Sequence, residues 1–347
     1  MTILFAGLLG GCGTPVDPAA TVPRSNTEVV FDSQGFTLEG NLVVPEHASD
    51  EVVPAVVLVH GSGPNSRDVP ASGQLNLGFG FSIDIFRQVS TELVREGIAV
   101  LRYDKRTCSS TNGCENDYPS VDESTTVDDF VADARSAVAF LATQDDIDVD
   151  RIFLVGHSQG GSFVPIVAAD MEDLAGGVIL AGPFQTIDVL LRYQLDFSRD
   201  LLIENGSTEE SAKAQLTSLR GLVEDVEAIA AGTFQGTSAG GGTVEFWESW
   251  IRVGEEAKTA ALDATVPLLA LGGDYDWNVP PAEIEAWGDH LEGSTVGHQA
   301  TVLPCITHAL NCIGQPDWQQ ITQDDIGRRV DTTVTDAIAD WVGLEHL

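Results

Sequence analysis

The chain has 347 residues, of which 43% are hydrophobic, enough for one large domain with a substantial core or one domain carrying an insertion. Its 53 acidic against 17 basic residues leave a net charge of -36, which argues against electrostatic binding of nucleic acid or anionic lipid surfaces. The same acidic, solvated shell is compatible with a saline milieu and would repel polyanionic substrates such as coenzyme A thioesters.

The first segment, MTILFAGLLGGCGTP, is apolar from Ile3 to Leu9 and offers Leu9-Gly10-Gly11-Cys12 ahead of a polar stretch. It resembles a bacterial lipobox. That resemblance implies a signal peptide over residues 1–12 and a lipidated Cys12, by whose acyl chains the exported protein would be anchored to a membrane. The apolar run is short and no Lys or Arg precedes it, which departs from the pattern. No other stretch approaches the ~18 apolar residues of a membrane span. With Cys12 set aside, Cys108, Cys114, Cys305 and Cys312 form two close pairs in sequence. Four cysteines allow three connectivities; the local one, Cys108 with Cys114 and Cys305 with Cys312, closes two small loops, and export would permit it. Neither pair has C-x-x-C spacing, and a structural zinc would need all four together.

Residues 13–27 read as a Pro-containing linker, and Glu28 to Val44 shows two β-like runs about a Ser-Gln-Gly turn, a hairpin. Pro54 to His60 is a continuous apolar run, as in a strand buried on both faces, and it ends in His60-Gly61-Ser62-Gly63-Pro64. Phe81 to Glu96 has helical spacing and stops at Gly97. A strand from Ile98 to Tyr103 runs into Asp104-Lys105-Arg106, and Val127 to Leu141 is a second amphipathic helix. Arg151 to Ala169 reads as strand, sharp turn and helix, and Gly177 to Ala181 as a further strand. Strands alternating with helices predict a parallel sheet covered on both faces.

The alternation breaks between 185 and 263, where two or three helices, polar loops and a Gly-rich run read as an inserted helical cap. Entering after a strand end, such a cap could cover a substrate. Trp247 and Trp250 are read there as cap core, with no site role. The β/α pattern resumes with a strand at Val266 to Leu271, a helix at Ala282 to Leu291, a strand at Ala300 to Leu303 and a last helix from about Asp331 to Val342. The core therefore comprises 28–184 and 264–347.

Within the strand-turn-helix unit, Gly156-His157-Ser158-Gln159-Gly160 lets the chain turn tightly enough to expose the Ser158 hydroxyl above the sheet edge, beside a helix N-terminus that favours negative charge. A second G-x-S-x-G surrounds Ser238, but with no apolar strand before it and no helix directly after it, so it reads as a flexible loop. A serine nucleophile needs a histidine base and an orienting carboxylate on loops beyond strand ends. Of seven histidines, His47 and His346 lie in polar segments, His60 precedes a loop suited to an oxyanion, His290 lies in a predicted helix, His157 adjoins the serine and points elsewhere, and His298 enters a strand. His308, just past the last strand, remains. For the acid, LGGDYDWNVPP offers Asp274 and Asp276.

Gly273, Asp276 and Val279 fit the G-x-x-D-x-x-V register that α/β-hydrolases show at this strand end, and Ser158, Asp276, His308 follow the chain order of that fold. Together with HGSGP at 60–64, RYDKR at 102–106 and Leu303-Pro304, these motifs resemble the exported serine-esterase branch related to dienelactone hydrolases. The resemblance spans nearly the whole chain outside the cap and linker. It departs at Thr107-Cys108-Ser109-Ser110, where the branch has Gly-containing sequence, and at Cys305, where it favours Gly. What it implies is an α/β-hydrolase fold in which Ser158 attacks an ester carbonyl, His308 relays its proton, Asp276 fixes the imidazole tautomer and the backbone N–H groups of Ser62 and Gln159 hold the oxyanion. The partner is then a small-molecule ester, and the mechanism requires no metal or organic cofactor. The same triad could serve a peptidase or amidase, or a thioesterase or acyltransferase; a catalytically inactive binding protein is the reading from another class. Oligomeric state and acyl chain length are not legible.

Overall fold

The computed structural model describes residues 23–71, 82–114, 124–171, 174–315, 317 and 320–343. Cys12, its lipobox, most of the linker and His346 lie outside the described residues.

Eight strands form one sheet: β1 (Pro23–Ser33), β2 (Phe36–Pro45), β3 (Val53–Val59), β4 (Ala99–Tyr103), β5 (Ile147–His157), β6 (Leu174–Leu180), β7 (Leu268–Gly273) and β8 (Gln299–Leu303). Their spatial order is β1-β2-β4-β3-β5-β6-β7-β8. β2 pairs antiparallel with β1 and β4, and every pairing from β4 to β8 is parallel. The first hairpin turns on Gln34 and Gly35, both left-handed at φ 55° and 84°, as a two-residue turn that follows the twist of its strands requires. β3 shows why this sheet is buried on both faces. Val53, Ala55, Val57 and Val59 join one apolar core, and Val56 and Leu58 join the other, because successive side chains of a strand point to opposite faces.

Two helix layers supply those cores. α1 (Ile85–Arg95) and α9 (Thr332–Gly343) cover one face through Phe86, Leu93, Ile338 and Trp341. α2 (Val127–Leu141), α3 (Phe163–Asp170) and α8 (Pro281–Leu291) cover the other through Phe130, Val131, Phe163, Val167, Ile284 and Trp287. α2 starts at a capping box in which Thr126 and Asp129 satisfy each other's backbone N–H groups.

Between β6 and β7 stand four helices, where sequence periodicity predicts two or three: α4 (Ile187–Glu204), α5 (Glu209–Gln215), α6 (Thr217–Ala230) and α7 (Val244–Asp263). The extra division falls at Leu216, where the short α5 ends and α6 begins. α7 packs on the main body through Val253, Ala257 and Ala261, and Ser249 Oγ accepts the Val127 N–H at 2.9 Å. The Gly-rich run around Ser238 is a short hairpin, Ser238–Ala239 against Gly242–Thr243. Gly240 and Gly241 take its two left-handed turn positions at φ 53° and 88°, so glycine here marks a tight turn and not a loose loop.

Candidate active site

β5 delivers Ser158. Its φ of 56° is left-handed, a conformation that costs a non-glycine residue on the order of 1–3 kcal/mol, and it closes the turn from β5 into the 3-10 segment Ser158–Ser162 that leads into α3. Two glycines make so sharp a turn possible. A Cβ on Gly160 would lie 2.6 Å from the carbonyl oxygens of Val59 and His60, and one on Gly156 would collide with the Gly160 carbonyl.

The loop after β8 delivers His308. The Cys305–Cys312 disulfide closes it at a Cα separation of 4.8 Å, Thr307 N–H donates to Asn311 O at 2.9 Å, and Asn311 Nδ2 donates to Gly327 O at 2.7 Å. The turn after β7 delivers Asp276 and is tied to the same loop by Tyr275 N–H donating to Ile306 O at 3.0 Å. His308 Nε2 lies 3.0 Å from Ser158 Oγ, and His308 Nδ1 lies 2.7 Å from Asp276 Oδ2. Asp276 is buried, and its other oxygen accepts the N–H groups of Asn278 at 2.9 Å and Val279 at 2.8 Å, so both oxygens are committed. Asp274 is exposed. The arrangement is a proton path from a hydroxyl to an imidazole backed by a carboxylate.

The other described histidines sit elsewhere, with one exception. His47 Nδ1 meets Pro45 O, His290 Nε2 meets Lys258 O, and His298 Nδ1 accepts the Leu268 N–H. His157 points away from Ser158 yet reaches the His308 carbonyl with Nε2 at 2.9 Å, packing ring against ring at 4.8 Å. Burial, with help from the charge of His308, lowers the His157 imidazole to about 3. It stays neutral, donates from Nε2 and steadies the His308 backbone. Burial likewise lowers His60 to about 3, assisted by Lys105.

Ser158 and His308 open on a cavity of about 330 Å³, which Ser62 and Gln159 also border. Its far wall is apolar and comes from the four-helix insertion, through Ile187, Leu190, Leu191, Trp247 and Trp250. The two tryptophans stack at 5.4 Å between centroids, and Trp247 anchors its indole N–H on Ala239 O. Sequence periodicity assigns them to the interior of the insertion; the structure shows them in the cavity wall as well. Among the described residues lining this cavity there is no Asp, Glu, Lys or Arg. Cys108 and Cys114 form the second disulfide, with a Cα separation of 6.0 Å.

Sequence reasoning gives no role to Lys105. Its side chain is buried, and Nζ donates to Gly61 O at 2.8 Å and Gln159 Oε1 at 2.9 Å. A lysine flanked by Asp104 and Arg106 has the sequence signature of a solvated turn, so no local signal betrays its burial.

Residues 74–311 match the family described as Serine aminopeptidase, S33. The chain is 28% identical over 268 residues to Esterase EstD of Thermotoga maritima, an alignment covering 76% of this chain and 56% of that protein. The chain thus spans little more than half the length of this relative. Among solved structures it resembles the α/β hydrolase GrgF from Penicillium sp. sh18, at a TM-score of 0.55 and 14% identity over 93% of this chain and 99% of that one. It also resembles Est1E from Butyrivibrio proteoclasticus, at a TM-score of 0.51 and 16% identity over 90% and 96%. At such identities the likeness speaks to the fold, which is that of an α/β-hydrolase.

Proposed function

Because this chain belongs to the Serine aminopeptidase, S33, family of hydrolases, we propose that it is a serine hydrolase that cleaves carboxylic esters through an acyl-enzyme. Ser158 attacks the ester carbonyl while His308 Nε2, at 3.0 Å, takes its proton. Asp276 holds Nδ1–H and so fixes the tautomer that leaves Nε2 free to accept. The backbone N–H groups of Ser62 and Gln159 receive the oxyanion. His308 returns the proton to the departing alcohol, and water then hydrolyses the acyl group by the same relay.

The observation that carries the choice of ester is a serine-histidine-aspartate relay opening on a cavity whose described lining bears no carboxylate. A peptidase acting on a free amino terminus needs a negative group to receive the ammonium, and a buried cation without a partner is costly. The volume of about 330 Å³ is at the small end for ligand cavities, which favours short or medium acyl groups. Residues 185–263 act as a cap over that cavity, on a core made of 28–184 and 264–347. Two disulfides fit an oxidising compartment outside the cytoplasm, in keeping with export and with anchoring through Cys12.

A panel of p-nitrophenyl esters of increasing chain length, set beside aminoacyl and peptidyl p-nitroanilides, tests this reading. Turnover of short and medium esters with kcat/KM at least about 10²-fold above any anilide is expected. Preference for an aminoacyl anilide would make the protein a peptidase.

A further inference from the structure

In the run Arg102-Tyr103-Asp104-Lys105-Arg106, three charges have charged partners: Arg102 pairs with Asp68, Asp104 with Arg67 Nη2 at 2.6 Å and Arg106 with Asp129 at 3.0 Å. Lys105 differs. Among the described residues it forms no ion pair; its ammonium donates to two neutral oxygens and lies 4.2 Å above the Phe130 ring. Burial pushes its pKa down to about 7, against the pull of Asp133. Keeping a cation there is unfavourable by itself, and what it touches explains its presence.

Both acceptors belong to the segments assigned above to the oxyanion. The Gly61 carbonyl is one end of the Gly61–Ser62 peptide, whose other end is the Ser62 N–H. A trans peptide is planar, with C=O and N–H pointing in opposite directions, so a donor fixed on Gly61 O sets the direction of the Ser62 N–H. That peptide is close to the nucleophile: a Cβ on Gly61 would be 3.0 Å from Ser158 Cβ. The Asn65 side chain also donates to Gly61 O, at 3.1 Å, and the Lys105 N–H donates to Asn65 O at 3.1 Å, so the lysine grips the loop twice. Gln159 supplies the second N–H, and its side-chain oxygen faces the ammonium at 2.9 Å, the amide orientation a cation demands.

We propose that Lys105 is the positioning residue of the oxyanion site, clamping the Gly61–Ser62 peptide and Gln159 from behind so that both N–H groups converge beside Ser158. Lys105 does not line the cavity onto which Ser158 and His308 open; it borders the adjoining one of about 500 Å³, and the two share Gln159, Trp247 and Trp250. When Lys105 is protonated, its charge polarises the Gly61–Ser62 peptide, which makes the Ser62 N–H a stronger donor as negative charge develops on the carbonyl oxygen. This inference rests on the ester-hydrolase reading of the same site.

The test compares wild type with Lys105→Met, which keeps the stem and removes the donors, using p-nitrophenyl acetate turnover, inhibition by 2-phenylethaneboronic acid and thermal melting. The boronic acid forms a tetrahedral adduct on a nucleophilic serine and reports the oxyanion donors without turnover. A clamp behind two donors should be worth somewhat less than a donor itself, so kcat should fall roughly 10- to 100-fold with KM within about threefold, and the inhibition constant should rise by a similar factor. Lys105→Gln, which retains a neutral amide donor, should recover part of the loss, and it carries the same comparison if the Met variant does not fold. A kcat within about threefold of wild type, a loss confined to KM, or unchanged affinity for the boronic acid would overturn the role of Lys105. Wild-type protein that neither binds the boronic acid nor hydrolyses the ester would overturn the underlying ester-hydrolase reading instead.

Discussion

Asp274 and Asp276 stand two positions apart on one turn, and the imidazole of His308 meets only the second. Either carboxylate is chemically competent, and the residues alone left both open; the G-x-x-D-x-x-V register favoured Asp276. The geometry gives the physical reason: Asp276 is buried with both of its oxygens hydrogen-bonded, while Asp274 faces solvent. Asn at 276 should lower kcat by several orders of magnitude, because an amide can donate to Nδ1 and so favours the wrong tautomer. Asn at 274 should stay within about threefold, and steady-state kinetics on a p-nitrophenyl ester separates the two. The opposite ranking would move the orienting acid two residues upstream. Ser158 and His308 were legible because a strand-turn-helix pattern and a strand end are local features. Lys105 and the His157 contact to His308 were not, since each joins residues 44 to 151 positions apart, and nothing in a local pattern encodes such a contact.

At the scale of elements, the loop that follows β8 holds His308 on a short, closed segment. Cys305 takes φ 61° and Leu310 φ 63°, and between them sits His308, closed off by the 305–312 disulfide. In the chain-entropy view, closing so short a loop stabilises the fold by about 2 to 3 kcal/mol at most. The local effect should be larger, since a displacement of about 1 Å in a catalytic group can cost 10²-fold in rate. Cys305→Ser with Cys312→Ser should therefore lower kcat by a larger factor than its melting temperature implies. Equal kcat in the double variant would show that the hydrogen bonds of Thr307 and Asn311 suffice to hold the loop. The core strands and helices were legible to within a few residues because apolar period and length identify them. The insertion is less legible in the sequence. Its helices α4 to α7 have amphipathic faces divided between each other and the main body, so periodicity alone does not reveal how many there are or that Trp247 and Trp250 would face the cavity.

Taken whole, the molecule joins a strongly acidic composition to a cavity beside Ser158 and His308 with no carboxylate in its described lining. The alternation of strands and helices was enough to read a parallel sheet covered on both faces, because parallel strands with right-handed crossovers leave little topological choice, while the α/β-hydrolase arrangement followed from the resemblance of the motifs. The position of helices α4 to α7 follows from chain order as well, since the insertion leaves after β6 and returns at β7. Contact across it is long-range and appears only in three dimensions, as in Gln194 Nε2 donating to Asn278 O at 2.8 Å.

The central claim is that this one serine, placed by β5 and the turn into α3, carries the acyl group. Incubation with a fluorophosphonate followed by peptide mapping of the adduct measures it directly, with Ser158→Ala as the comparison. A single phosphonyl adduct on Ser158, absent from the Ala variant together with at least about 10³-fold of the ester turnover, is the predicted result. An adduct on Ser238 or another serine, or turnover in Ser158→Ala within about tenfold of wild type, would contradict it.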